Sequence, residues 1–196
     1  MKFCNLFLTA FSIVLFVACS RTDDNDLPPA IEDTVEEEVL GEIVPCENGF
    51  AGIYPCSGYD LIGQVALDEM QASSGNDIWG WTDPLDGKEY VLLGRTTGTA
   101  FIDISDPANP VMVANLSTNT VTSFWRDIKV HDNHAFIVSE ASGHGMQVVD
   151  LTQLGSIDNP PQEIEADALY MGWGNAHNIV INESTARAYG VGTATF

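Results

Sequence analysis

Basic residues are scarce: seven Lys and Arg stand against 28 Asp and Glu, a formal net charge of −21 over 196 residues. A protein that tracks a phosphate backbone needs a basic face, so the shortage excludes nucleic acid as a partner. The leading apolar run, Phe3 to Ala18, has only 16 residues, where a membrane-spanning helix needs about 20. No segment carries the apolar periodicity of an amphipathic helix, which removes helical bundles from consideration. A Gly-x-Ser-x-Gly elbow and a phosphate loop are missing as well, and no catalytic constellation can be identified. What remains is a chain of one-domain length with enough apolar residues for a core.

Charge divides that chain. Residues 19–69 hold 13 acids and one base, Arg21, whereas residues 70–196 hold 15 acids and five bases. Lys2 followed by the apolar run reads as an export signal over residues 1–18. The run ends at Phe16-Val17-Ala18-Cys19-Ser20, a small residue before a Cys, which resembles a bacterial lipobox. The resemblance implies that Cys19 is lipidated and becomes the new N-terminus; Phe16 departs from the Leu usual at its position. An ordinary export signal with an incidental Cys is the plainer alternative. Residues 19–44, with Asp23-Asp24, Pro28-Pro29 and Glu36-Glu37-Glu38, read as a solvated acidic tether. Acids directly after the lipidated Cys also resemble the tags of surface-exposed outer-membrane lipoproteins. Cys4 leaves with the signal, so Cys46 and Cys56 are left as a close pair. In an exported chain such a pair is most simply a disulfide. A metal site is the alternative, but no His lies near and two thiolates leave a tetrahedral site half filled.

Beyond residue 60 the pattern changes to short β-rich runs broken by Gly, Pro, Asn and Asp. Tyr90–Leu93, Ala100–Ile104, Val111–Val113, Ile128–Val130, Ala135–Val138, Met146–Val149 and Asn178–Ile181 read as strands. Asp86-Gly87 and Asp132-Asn133 sit where hairpin turns belong. Self-comparison aligns Asn76-Asp77-Ile78, Arg126-Asp127-Ile128 and Ala176-His177-Asn178, with Asp77, Asp127 and His177 spaced by 50 residues. A repeat of about 40–50 residues with several strands per copy is the pattern of a β-propeller blade. The expected fold is therefore all-β: an incomplete propeller of about two and a half blades over residues 45–196, where closure takes about 4–8. The sequence thus reads as a portion of a longer protein.

Ala100-Phe101-Ile102-Asp103-Ile104-Ser105-Asp106-Pro107-Ala108-Asn109-Pro110-Val111 resembles the LVIVD repeat. Together with Pro45-Cys46, Gly49-Phe50-Ala51-Gly52-Ile53-Tyr54-Pro55-Cys56, Trp125-Arg126-Asp127-Ile128, His144-Gly145-Met146-Gln147 and Gly174-Asn175-Ala176-His177-Asn178, it resembles the choice-of-anchor B family. These are exported LVIVD propellers that differ in their surface anchor. The resemblance implies a fold and a location, with the lipid on Cys19 as anchor, and supplies no reaction.

Three groups of residues could carry chemistry. Asp77, Asp127 and His177 open equivalent strands, and propeller first strands line a central channel; two carboxylates and an imidazole there could hold a divalent cation, Ca²⁺ or a transition metal. The same residues could instead bond the backbone of the neighbouring blade. Trp79, Trp81, Trp125 and Trp173 could form a sugar-stacking surface, or pack between blades. His131, His134 and His144 read as solvent-facing turn residues. Asp106-Pro107 and Asn109-Pro110 read as a turn, with Asp accepting backbone N–H groups and Pro presetting φ. The function expected is a surface-anchored outer-membrane lipoprotein that binds a glycan or a protein partner. The alternative is an exported metal-dependent hydrolase or lyase centred on Asp77, Asp127 and His177.

Overall fold

The computed structural model describes residues 43–194. The expected export signal, the Cys19 lipidation position and the tether up to residue 42 lie outside the described residues. Among the described residues no helix is long and apolar enough to cross a membrane.

The chain is all-β. Strands β1 (Phe50–Ala51) and β2 (Tyr54–Pro55) form a small hairpin, and a Cys46–Cys56 disulfide with Cα atoms 5.9 Å apart closes it. Next come β3 (Gly75–Thr82), β4 (Glu89–Arg95), β5 (Gly98–Asp103) and β6 (Val111–Ser117), paired antiparallel to one another in that order. A second meander runs through β7 (Arg126–His131), β8 (His134–Ser139) and β9 (Met146–Asp150). Strand β10 (Gln162–Ile164) then returns to the first sheet and pairs parallel with β6. Strand β11 (Ala168–Tyr170) pairs antiparallel with β9, completing the second sheet as β11-β9-β8-β7. Strands β12 (Asn178–Asn182) and β13 (Arg187–Val191) form a last hairpin. None of these sheets closes on itself.

Local chemistry explains the turns. Asp132 and Asn133 join β7 to β8 with φ of +47° and +60°, the left-handed pair that a type I′ hairpin requires and that Asp and Asn tolerate best. After β5, Asp106 Oδ1 accepts the Ala108 N–H at 3.1 Å and Oδ2 accepts from Asn109 Nδ2 at 2.8 Å, while Asp103 Oδ1 accepts the Ser105 N–H at 2.9 Å. Asp106 is thus a turn lock, as expected for Asp before Pro, and Asp103 caps the turn ahead of it.

Packing follows from strand alternation. One face of the first sheet sets Trp81, Tyr90, Leu92, Phe101, Ala114 and Leu116 against Ile128, Ala135, Ile137 and Val149 of the second. Leu151 and Leu154, on a 3₁₀ turn, complete that core. The other face of the first sheet packs Ala100 and Ile102 under Met70, with Val65 and Ala72 beside them. Strand β5 is buried on both faces, and its Gly-Thr-Ala-Phe-Ile run is accordingly free of charge. A smaller cluster of Val138, Met146, Ala176 and Ile179 joins the second sheet to β12.

Candidate functional site

The expected trio is split. Strand β3 carries a bulge between Asn76 and Ile78 in its pairing with β4, and Asp77 sits there with φ of +24°. A bulge re-aims a side chain, and Asp77 Oδ2 accepts the N–H of Ile128 in β7 at 2.6 Å. Asp127 repeats the device one sheet further on, where its Oδ2 accepts the Ile179 N–H of β12 at 2.6 Å. Asn76 reinforces the first link, donating to Arg126 O at 3.0 Å and accepting the Arg126 N–H at 3.2 Å. Gly94 allows this close approach, since a Cβ there would lie 3.3 Å from the Arg126 Cβ and 3.2 Å from Asn76 O. His177, by contrast, bonds through Nδ1 to Glu140 Oε1. Among the described residues, no three His, Cys, Asp or Glu side chains converge so as to hold a metal ion. Asp77 and Asp127 act as inter-sheet struts, the second of the two roles their positions allowed.

The struts differ electrically. Burial pushes the Asp77 carboxyl above its ordinary range, with the neighbouring Asp127 adding to the rise and the Ile128 N–H opposing it. Burial works on Asp127 in the same sense, but the Lys129 ammonium and the Ile179 N–H together hold it below its ordinary range. Lys129 Nζ donates to Asp127 Oδ1 at 2.7 Å and sits 4.6 Å from the centre of the Trp79 ring. A carboxylate held by a cation and an amide is the ionised partner of the two, and Asp77 is the one that retains its proton to higher pH.

The aromatic and imidazole residues also part company. Trp81 is core: it stacks on Tyr90 with ring centres 5.4 Å apart and donates Nε1 to Asn133 Oδ1 at 3.2 Å. Trp173 meets Tyr170 edge-on. Trp125 is exposed, and so is its neighbour Phe124. His131 and His134 flank the β7–β8 turn as read from the sequence. His144 is not solvent-facing; it is fully buried. Its Nε2 receives Arg126 Nη1 at 3.1 Å and its Nδ1 meets Gly145 O at 3.2 Å. Arg has no acceptor, so Nε2 must accept and the ring proton belongs on Nδ1, donated to Gly145. Desolvation lowers the His144 pKa to about 4, with the Arg126 charge contributing. A Gly on each side of a polar residue pointed to an exposed turn; a buried arginine looking for an acceptor reversed that.

One cavity was invisible in the sequence. Ser73, Thr96, Thr97, Thr122, Ser123 and Phe124 line a cleft of about 260 Å³. It forms where the β4–β5 turn meets the loop before β7, and Ser123 N donates to Thr96 O at 3.1 Å. Ser73 and Thr96 hydroxyls touch at 3.3 Å, and Thr97 Oγ1 donates to Gln71 O at 3.2 Å. Five hydroxyls beside an exposed aromatic make a neutral, hydrogen-bonding cleft with an apolar rim. The signal that could have found it is the Ser/Thr density of Thr96-Thr97 and Thr122-Ser123 ahead of Phe124-Trp125. Comparison of the chain with protein-family models, with curated proteins and with solved structures finds no match.

Proposed function

We propose that this chain is an exported glycan-binding module, without catalytic activity, held at the cell surface by a lipid on Cys19. The observation that carries the binding reading is the hydroxyl-lined cleft of Ser73, Thr96, Thr97, Thr122 and Ser123 with Phe124 on its wall and exposed Trp125 next in sequence. Sugars present hydroxyls at their edges and C–H faces above and below, so a cleft of donors and acceptors beside an aromatic ring matches both surfaces. The Cys46–Cys56 disulfide supports an oxidising, extracytoplasmic compartment. The antiparallel meanders β3–β6 and β7–β9 and the β12–β13 hairpin, joined through their first strands by Asp77 and Asp127, support the propeller resemblance drawn from the LVIVD-like motif. An experimental structure of the protein in which the sheets do not radiate from a common axis overturns that part.

The binding test is a glycan array followed by titration calorimetry on the best hit. The expected result is saturable binding that Phe124→Ala weakens by about tenfold, the loss of one aromatic contact. Binding to no glycan, or binding indifferent to Phe124→Ala, removes the cleft as a sugar site and leaves a protein partner as the target to seek.

A further inference from the structure

Two arginines adjacent in sequence to cleft-lining residues lie buried, and among the described residues no carboxylate pairs with them. Arg95 ends β4 and is 2% exposed; Arg126 opens β7 and is 3% exposed. Among the described residues, buried Arg95 Nε and Nη1 and Arg126 Nη2 have no hydrogen-bond partner. Arg126 gives Nε to Arg95 O at 2.8 Å and Nη1 to neutral His144, and neither contact supplies negative charge. Among the described residues, no ion pair within 4.0 Å involves either side chain. Glu163 is the acid whose field reaches Arg95, but its Oε1 takes the Asn115 amide instead. The two cations also repel each other, and burial lowers both pKa values, that of Arg126 to about 10; a guanidinium keeps its proton in proteins, so the charges stay.

Buried charge without a partner is strongly unfavourable, and native proteins avoid it by pairing. The chain joins each arginine to the cleft lining: Arg95, the last residue of β4, runs into Thr96-Thr97 of the turn, and Thr122-Ser123-Phe124 of the preceding loop runs through Trp125 into Arg126, the first residue of β7. We propose that Arg95 and Arg126 form an oxyanion site reached from the cleft, which takes a sulfate, phosphate or carboxylate group. Planar guanidinium forks with free N–H groups suit the paired oxygens of such an anion. The group comes either as a free inorganic anion or as the acid of an acidic sugar. The inference goes beyond glycan binding and stands if the cleft takes no neutral sugar.

The test is an NMR titration of the full chain, labelled with ¹⁵N, with sodium sulfate and separately with glucuronate, at constant ionic strength against chloride. Saturable movement of the Arg95 Nε–H signal is expected, and Arg95→Met should weaken sulfate binding by about tenfold or more, the worth of charge-assisted bonds. Arg95→Met should also raise the unfolding midpoint in anion-free buffer, because it removes an unpaired buried charge; a purely structural arginine predicts a fall. Competition by glucuronate assigns the site to an acidic sugar, and sulfate alone assigns it to a free anion. No saturable shift with either overturns the proposal, as does a midpoint that falls in Glu163→Gln while sulfate leaves the native protein unmoved, which makes Glu163 the counter-charge.

Discussion

His144 illustrates how a single buried side chain couples stability to pH. Its ordinary pKa of 6.5 falls to about 4 in the folded chain because burial, with the Arg126 cation beside it, disfavours the imidazolium. Between those values the unfolded chain binds a proton that the folded chain refuses, so stability is fully present above pH 6.5 and is lost as pH falls toward 4. A gap of this size corresponds to about 3 kcal/mol in full. Chemical denaturation at pH 7 and pH 4.5 should therefore show a drop that His144→Gln makes shallower by about 2 kcal/mol, since the amide can accept from Arg126 without titrating. An equal drop in both proteins would move the pH sensitivity to the carboxylates. Asp77 works in the opposite sense: its raised pKa means the folded chain holds the extra proton, so its contribution weakens as pH rises. The expectation that His144 faces solvent rested on its Gly-flanked context. Nothing local announces the Arg126 guanidinium, 18 residues away in sequence.

At the scale of the element, the inter-sheet struts set the order of strength. Strand β12 belongs to a two-stranded sheet, and an isolated hairpin is marginal in water. It is held to the second sheet by the Ala176 and Ile179 packing and by Asp127, whose Oδ2 takes the buried Ile179 N–H. Asp127→Ala leaves that amide without a partner and frees Lys129, which should cost about 1–3 kcal/mol. Native-state hydrogen exchange should find the Ile179 amide exchanging faster while the amides of β4 and β5 keep their protection. Unchanged exchange at Ile179 would mean the strut is not what secures β12. The strands themselves were legible: short β-rich runs broken by Gly, Pro, Asn and Asp marked β4, β5, β7, β8, β9 and β12, with ends within a residue or two. Strand β10 was not, because Gln162-Glu163-Ile164 has no alternation to read. It is a strand only because β6 offers a free edge to pair with.

For the whole molecule, net charge is the quantity that sequence settles best. A body this acidic resists close approach to anionic surfaces, so attachment to a membrane rests on the proposed lipid rather than on charge. Cys19→Ala in cells should shift the protein from the detergent-soluble membrane fraction to the soluble fraction; unchanged partitioning would sink the anchor. The sequence by itself determined the all-β character, the hairpin turns, the Asp106 turn lock and the Cys46–Cys56 pairing, because each depends on residues within about a dozen positions of one another. Tertiary structure alone decided that Asp77 and Asp127 bond backbone 51 and 52 residues onward, that His177 turns to Glu140, and that Arg95 and Arg126 are buried together. It also gathered Ser73, Thr97 and Ser123 into one cleft. Those outcomes depend on which sheet faces meet and at what offset, and the strands' own residues carry no record of that offset until their apolar faces pack.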